Sequence, residues 1–132
     1  MRIVADTNTF LAVALREPEK ESLTKVLAGH ALMAPEVLPF EIGNALTAMV
    51  KKRTLDSEEV QAALEMVNMI PVDLRTVDMR AALDIAVRFR IYAYDAYYLE
   101  CATRYRAPLL TLDIGMQRVA RELAIEIVEL PT

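Results

Sequence analysis

Apolar residues follow two rhythms along this chain. Arg2-Ile3-Val4-Ala5, Ala31-Leu32-Met33-Ala34, Met69-Ile70-Pro71-Val72, Leu109-Leu110-Thr111-Leu112 and Glu126-Ile127-Val128-Glu129 are short β-type runs of strand length. Between them, apolar residues return every three or four positions over Phe10 to Leu15, Glu19 to Leu27, Leu38 to Lys51, Ser57 to Val67, Val77 to Phe89, Asp95 to Tyr105 and Met116 to Leu123, which predicts helices. The clearest stripe is Leu38, Ile42, Ala45, Leu46, Met49 and Val50. Pro18, Pro35, Pro39 and Pro108 fall at or near element boundaries, where a missing N–H does least harm. Strand–helix alternation of this kind predicts an α/β fold. It should have three layers: an open parallel sheet of about five strands with helices on both faces, joined by right-handed crossovers.

Composition narrows the class. A chain of 132 residues without internal repeat or Ser/Gly-rich linker reads as a single domain over 1–132. With 55% hydrophobic and 26% charged residues it can bury a core, so intrinsic disorder is excluded. Fifteen bases against 19 acids give a net charge of −4, which offers no general footprint for nucleic acid; any such contact must be local. An early carboxylate, Asp6, cuts the N-terminal apolar run before it could form a signal-peptide core. No apolar stretch reaches the roughly 18 residues of a membrane span. One cysteine closes no intramolecular disulfide, so a soluble, cytoplasmic protein is expected.

Four acids share one kind of location. Asp6 follows the first strand, Glu41 lies in the first turns of the helix after the second, Asp95 opens a helix, and Asp113 follows Leu109 to Leu112. Ligands of open α/β sheets bind outside the carboxyl ends of the strands, so these four should converge. Close carboxylates repel and raise one another's pKa unless a cation offsets them. With oxygen donors only, and a single His and a single Cys in the chain, Mg²⁺ or Mn²⁺ is favoured over Zn²⁺ or copper. Thr7, Asn8 and Thr111 are polar neighbours suited to orienting a ligand, and Asn44 is spaced to bond the Glu41 carboxylate.

Each choice has a plainer competitor. Asp6, Asp95 and Asp113 could each simply cap a helix. Against that, Glu41 borders the apolar stripe and Asp95 shares a helix side with Leu99 and Ala102, so both lean inward, where an unpartnered charge is costly. Asp73 is set aside, because Leu74-Arg75-Thr76 separates it from the next helical pattern. Lys51-Lys52-Arg53, Arg88 with Arg90, Arg104 with Arg106 and Arg118 with Arg121 read first as solvated faces, as do Glu17, Glu19 and Glu21. Tyr92, Tyr94, Tyr97 and Tyr98 flank Asp95 and offer stacking surfaces, though Tyr at helical spacing usually packs with its hydroxyl wet. His30 reads as a loop residue and the methionines as core filler.

Asp6-Thr7-Asn8 after a leading strand, Pro39-Phe40-Glu41-Ile42-Gly43-Asn44-Ala45-Leu46, Tyr94-Asp95-Ala96-Tyr97-Tyr98-Leu99 and Leu110-Thr111-Leu112-Asp113 together resemble the four acidic motifs of PIN-domain ribonucleases. The chain is similar to the VapC-type toxins of toxin–antitoxin pairs. That resemblance implies a metal-dependent endoribonuclease in which Asp6, Glu41, Asp95 and Asp113 hold one or two Mg²⁺ or Mn²⁺ ions. It also implies an RNA substrate, a small cognate antitoxin and a homodimer. Two other readings compete: a phosphoacceptor, receiver-like signalling domain, and a PIN-fold binding module without catalysis. The first expects an acidic pair at the first strand and a Lys after the last; here Asp6 stands alone and no Lys follows Leu112.

Overall fold

The computed structural model describes residues 2–15 and 17–130. Strands β1 (Arg2–Ala5), β2 (Ala31–Pro35), β3 (Asp73–Arg75) and β4 (Leu109–Leu110) form one parallel sheet in the order β3-β2-β1-β4. β1 is central because Ile3, Val4 and Ala5 are buried on both faces, as interior parallel strands require. Its register pairs Ile3 with Leu32 on one side and Val4 with Leu109 on the other.

The helices are α1 (Thr7–Ala14), α2 (Lys20–Ala28), α3 (Leu38–Lys51), α4 (Ser57–Asn68), α5 (Met79–Phe89), α6 (Ala93–Tyr105) and α7 (Ile114–Glu122). The steps β1→β2→β3 run toward one edge and β3→β4 runs back. Right-handed crossovers therefore put α1 to α4 on one face and α5 and α6 on the other. The packing agrees: α1 packs on α2, α3 and α4, whereas α5 packs on α6, and α6 on β1 and β2. Ile3, Val4, Phe10, Met33, Leu46, Leu99, Leu109 and Leu110 fill the main core. A smaller cluster of Ala82, Ala86 and Ala96 seats α5 against α6. Buried Glu100 accepts the Asp78 N–H at 2.8 Å and an Arg104 N–H at 2.9 Å, tying α6 to the start of α5.

Several expectations need correction. Among the described residues the sheet has four strands, not five: the 126–129 run makes a single parallel bridge, Leu109 with Ile127, held by the Leu109 N–H to Glu126 O and the Val128 N–H to Leu109 O. β3 begins at Asp73, beyond the run expected at 69–72. Pro71 has no N–H for a ladder, and Ile70 and Val72 serve instead as packing against the core. Five helices start elsewhere than periodicity suggests, α2 by one residue, at Lys20. α1 and α7 begin earlier, at Thr7 and Ile114, behind the caps Asp6 and Asp113. α5 begins later than Val77, behind Asp78, and α6 begins at Ala93. The methionines are not all core: Met33 and Met116 are buried, but Met69 and Met79 are exposed. No helix among the described residues is long and apolar enough to cross a membrane.

Candidate active site

A parallel sheet brings the carboxyl ends of its strands to one edge, and the expected residues stand there. Asp6 directly follows β1, Thr111 directly follows β4, and α3 and α6 present Glu41 and Asp95 from their first turns. Asp6, Thr7, Asn8, Glu41, Asn44 and Asp95 line one recess of about 200 Å³, with Phe40, Tyr94 and Tyr98 also in its wall. Asp113 is not in that wall, but its charge acts on both Asp6 and Asp95. A larger apolar groove of about 710 Å³ between α2, β2 and the 69–73 segment is lined by none of these four acids.

Asp6 is the most enclosed, at 4% exposure. It caps α1: Oδ1 accepts the Thr9 N–H at 3.0 Å and the Thr9 hydroxyl at 2.8 Å, while Oδ2 accepts the Thr111 hydroxyl. Thr111 thereby joins two acids, because its Oγ1 also accepts the Asp113 N–H at 3.1 Å. Asp113 in turn caps α7, accepting the Met116 N–H. Capping thus describes Asp6 and Asp113 correctly but not completely. It does not describe Asp95, whose helix is capped by Tyr92 without a side-chain bond.

Burial is the main cause that raises the Asp6, Glu41 and Asp95 carboxyls above the ordinary carboxylate range. Mutual repulsion adds to it: Asp113 acts on Asp6, Asp95 and Asp6 act on Glu41, and Asp113 and Asp6 act on Asp95. Hydroxyls oppose the rise, Thr111 and Thr9 at Asp6, Tyr98 and Thr7 at Glu41. The four acids are therefore electrostatic neighbours.

Glu41 keeps one buried oxygen, Oε1, without a hydrogen-bond partner. Asn44 lines the recess but does not bond that oxygen, where the sequence spacing suggested a bond to the Glu41 carboxylate. The neighbours that matter are two hydroxyls, that of Thr7, expected at the site, and that of Tyr98, which the sequence suggested only as a packing or stacking ring. Thr7 Oγ1 and the Tyr98 hydroxyl lie 2.7 Å apart, and one proton suffices for their mutual bond. Both hydroxyls act on Glu41 and favour its ionised form. Tyr98 is 2% exposed, so its hydroxyl is not wet, and burial beside the Glu41 charge raises its pKa strongly. Its spacing three residues after Asp95 was the available signal. For Thr9 the signal was its place three residues after the Asp6 cap.

A hard divalent cation suits these residues. The donors are all oxygens, their carboxyls repel, and Glu41 Oε1 is a buried acceptor awaiting a positive partner. Among the described residues, however, no three His, Cys, Asp or Glu side chains are set closely enough to hold an ion by themselves. That arrangement matches Mg²⁺ chemistry, in which one or two carboxylates bind and water completes the octahedron, better than a closed protein cage.

The PIN domain model matches residues 3–122, and the chain belongs to the PIN-domain family. It is 32% identical over 107 residues to Ribonuclease VapC1 of Mycobacterium tuberculosis, covering 77% of this chain and 71% of that protein. Solved structures share the fold. PAE2754 from Pyrobaculum aerophilum superposes with a TM-score of 0.70 at 21% identity, over 90% of this chain and 87% of that one. VapBC2 from Rickettsia felis, bound to a DNA fragment from its promoter, gives 0.68 at 13% identity, over 99% and 100%. The family match removes the phosphoacceptor reading.

Proposed function

We propose that this chain is a Mg²⁺- or Mn²⁺-dependent endoribonuclease, acting as the toxin of a VapC-type toxin–antitoxin pair. Its membership of the PIN family and its identity to a VapC ribonuclease support a nuclease, and a VapBC structure among its fold neighbours supports an antitoxin partner. The observation that carries the site assignment is the recess at the carboxyl edge of the sheet lined by Asp6, Glu41 and Asp95, with Asp113 tied to Asp6 through Thr111. On this reading residues 1–132 work as one domain, in the cytoplasm, as a homodimer, on an RNA substrate.

Asp6, Glu41, Asp95 and Asp113 would hold one or two ions. Bound there, a divalent cation supplies Lewis-acid neutralisation of a phosphodiester and a lowered pKa for water at its surface. The protein's own contributions follow from its bonds. Thr9 and Thr111 fix both Asp6 oxygens, so this carboxylate needs no reorganisation on binding. Thr111 holds Asp113 to the same register through its backbone N–H. Thr7 and Tyr98 face Glu41 and favour its ionised form. Asn8 and Asn44, exposed at the wall, are placed to orient substrate. No side-chain nucleophile is required.

The test is incubation of a generic RNA with the purified chain and Mn²⁺. Cleavage leaving 5′-phosphate and 3′-hydroxyl ends, lost with chelator and in Asp95→Asn, is expected. Undiminished cleavage by Asp95→Asn contradicts the assignment.

A further inference from the structure

Nucleic-acid affinity ordinarily comes from bases on the protein neutralising phosphates. This chain has a net charge of −4 and an acidic recess, so charge alone draws RNA weakly. The rim of the recess offers something else. Phe40, 77% exposed, and Tyr94, 52% exposed, both line it, each one residue before an acid, Glu41 and Asp95. Tyr92, 83% exposed, stands two residues further back. Tyr94 is braced edge-on by Tyr97, with ring centroids 5.8 Å apart at 82°, which fixes its plane.

We propose that Phe40 and Tyr94 are stacking surfaces for the bases flanking the scissile phosphate, so that these two rings select an unpaired RNA segment. The inference rests on the ribonuclease reading above. RNA is favoured over a protein partner because the rings belong to the wall of the acid recess itself. A phosphate held at the acids brings its own two bases to that wall, and any base has a face that stacks on an aromatic ring without regard to sequence. Paired bases present no free face, so a duplex is excluded from the same contact. Arg90, which ends α5 in a left-handed conformation four residues before Tyr94, adds positive charge on the same stretch of chain.

The experiment uses a fluorescent 12-nucleotide RNA, single-stranded or annealed to its complement, with Mn²⁺ and the full chain. Phe40→Ala and Tyr94→Ala should each raise KM on the single strand roughly 5- to 100-fold, the scale of one lost base–aromatic stack. kcat should stay within about threefold, and the Mn²⁺-induced rise in Tm should match the parent; Phe40→Trp and Tyr94→Trp should restore KM. Because both rings are exposed, folding is not at stake. Parent KM in both alanine variants would assign the rim to a protein contact and overturn the proposal, as would equal cutting of the duplex. Should the parent cut neither form, the ribonuclease reading fails, and anisotropy of the labelled single strand in Ca²⁺ still reads the rings: weaker binding by Phe40→Ala supports the stacking role, unchanged binding overturns it.

Discussion

Replacing Tyr98 by Phe tests how Glu41 is held. The ring stays in the core, where Tyr98 is among the largest fully buried side chains, and only the hydroxyl 2.7 Å from Thr7 is removed. Glu41 Oε1 is already buried without a partner, so losing a facing donor falls on its ionised form. An unsatisfied buried polar group costs about 1–3 kcal/mol. At about 1.4 kcal/mol per tenfold, this is roughly a 5- to 100-fold loss of cation affinity. The Thr7 hydroxyl remains and can turn its proton to Glu41, which holds the expected loss to about 5- to 10-fold. The assay is the Tm measured against Mn²⁺ concentration without RNA, since a ligand that binds only the native state raises Tm with its concentration. In Tyr98→Phe the Mn²⁺ midpoint should rise by that factor. In a Glu41→Gln background the same change should add nothing. An unchanged midpoint, or the full factor persisting in Glu41→Gln, refutes the reasoning.

Asp6→Asn should lower cleavage by more than about 100-fold, beyond the loss typical of residues that merely support metal ligands; because it removes a buried charge, the metal-free Tm should rise, and a fall in both would indicate a damaged fold. The raised carboxyls of Asp6, Glu41 and Asp95 make the folded state hold protons to higher pH than the unfolded chain. Their contribution is full below the ordinary carboxylate pKa of about 4 and lost as pH rises through the raised values. Metal-free Tm should therefore fall as pH rises toward 7.5, and Mn²⁺ should flatten that fall; a metal-free Tm that climbs over the same range contradicts the linkage. Gly43 is exposed in α3 with open space where a Cβ would stand, so Gly43→Ala should stabilise by about 0.5–1 kcal/mol, read as a higher denaturant midpoint at unchanged slope.

Most of the fold was legible because its signals are local. The 38–51 stripe predicts α3 at both ends, and β1 is where Ile3 and Val4 predict it. What escaped depends on pairing across the chain. The 126–129 run has strand composition, yet only Ile127 finds a bridge. The 69–72 run is apolar, yet the ladder begins at Asp73, whose carboxylate is held by Arg2 and Arg75. The placement of Asp6, Glu41 and Asp95 around one recess was legible because strand ends in a parallel sheet share an edge. Tyr98 and Thr9 were not, since hydroxyls that serve a carboxylate look in sequence like ordinary packing and capping residues. Asn44 went the other way: its spacing suits a bond to Glu41, yet Glu41 Oε1 stays unpartnered.

Anomalous diffraction from crystals soaked in Mn²⁺ addresses the central claim most directly. A peak in the recess within coordination distance of at least two of Asp6, Glu41, Asp95 and Asp113 is expected, and it should vanish in Asp95→Asn crystals. Full soaking with no peak there, or a peak that ignores Asp95, would contradict the account.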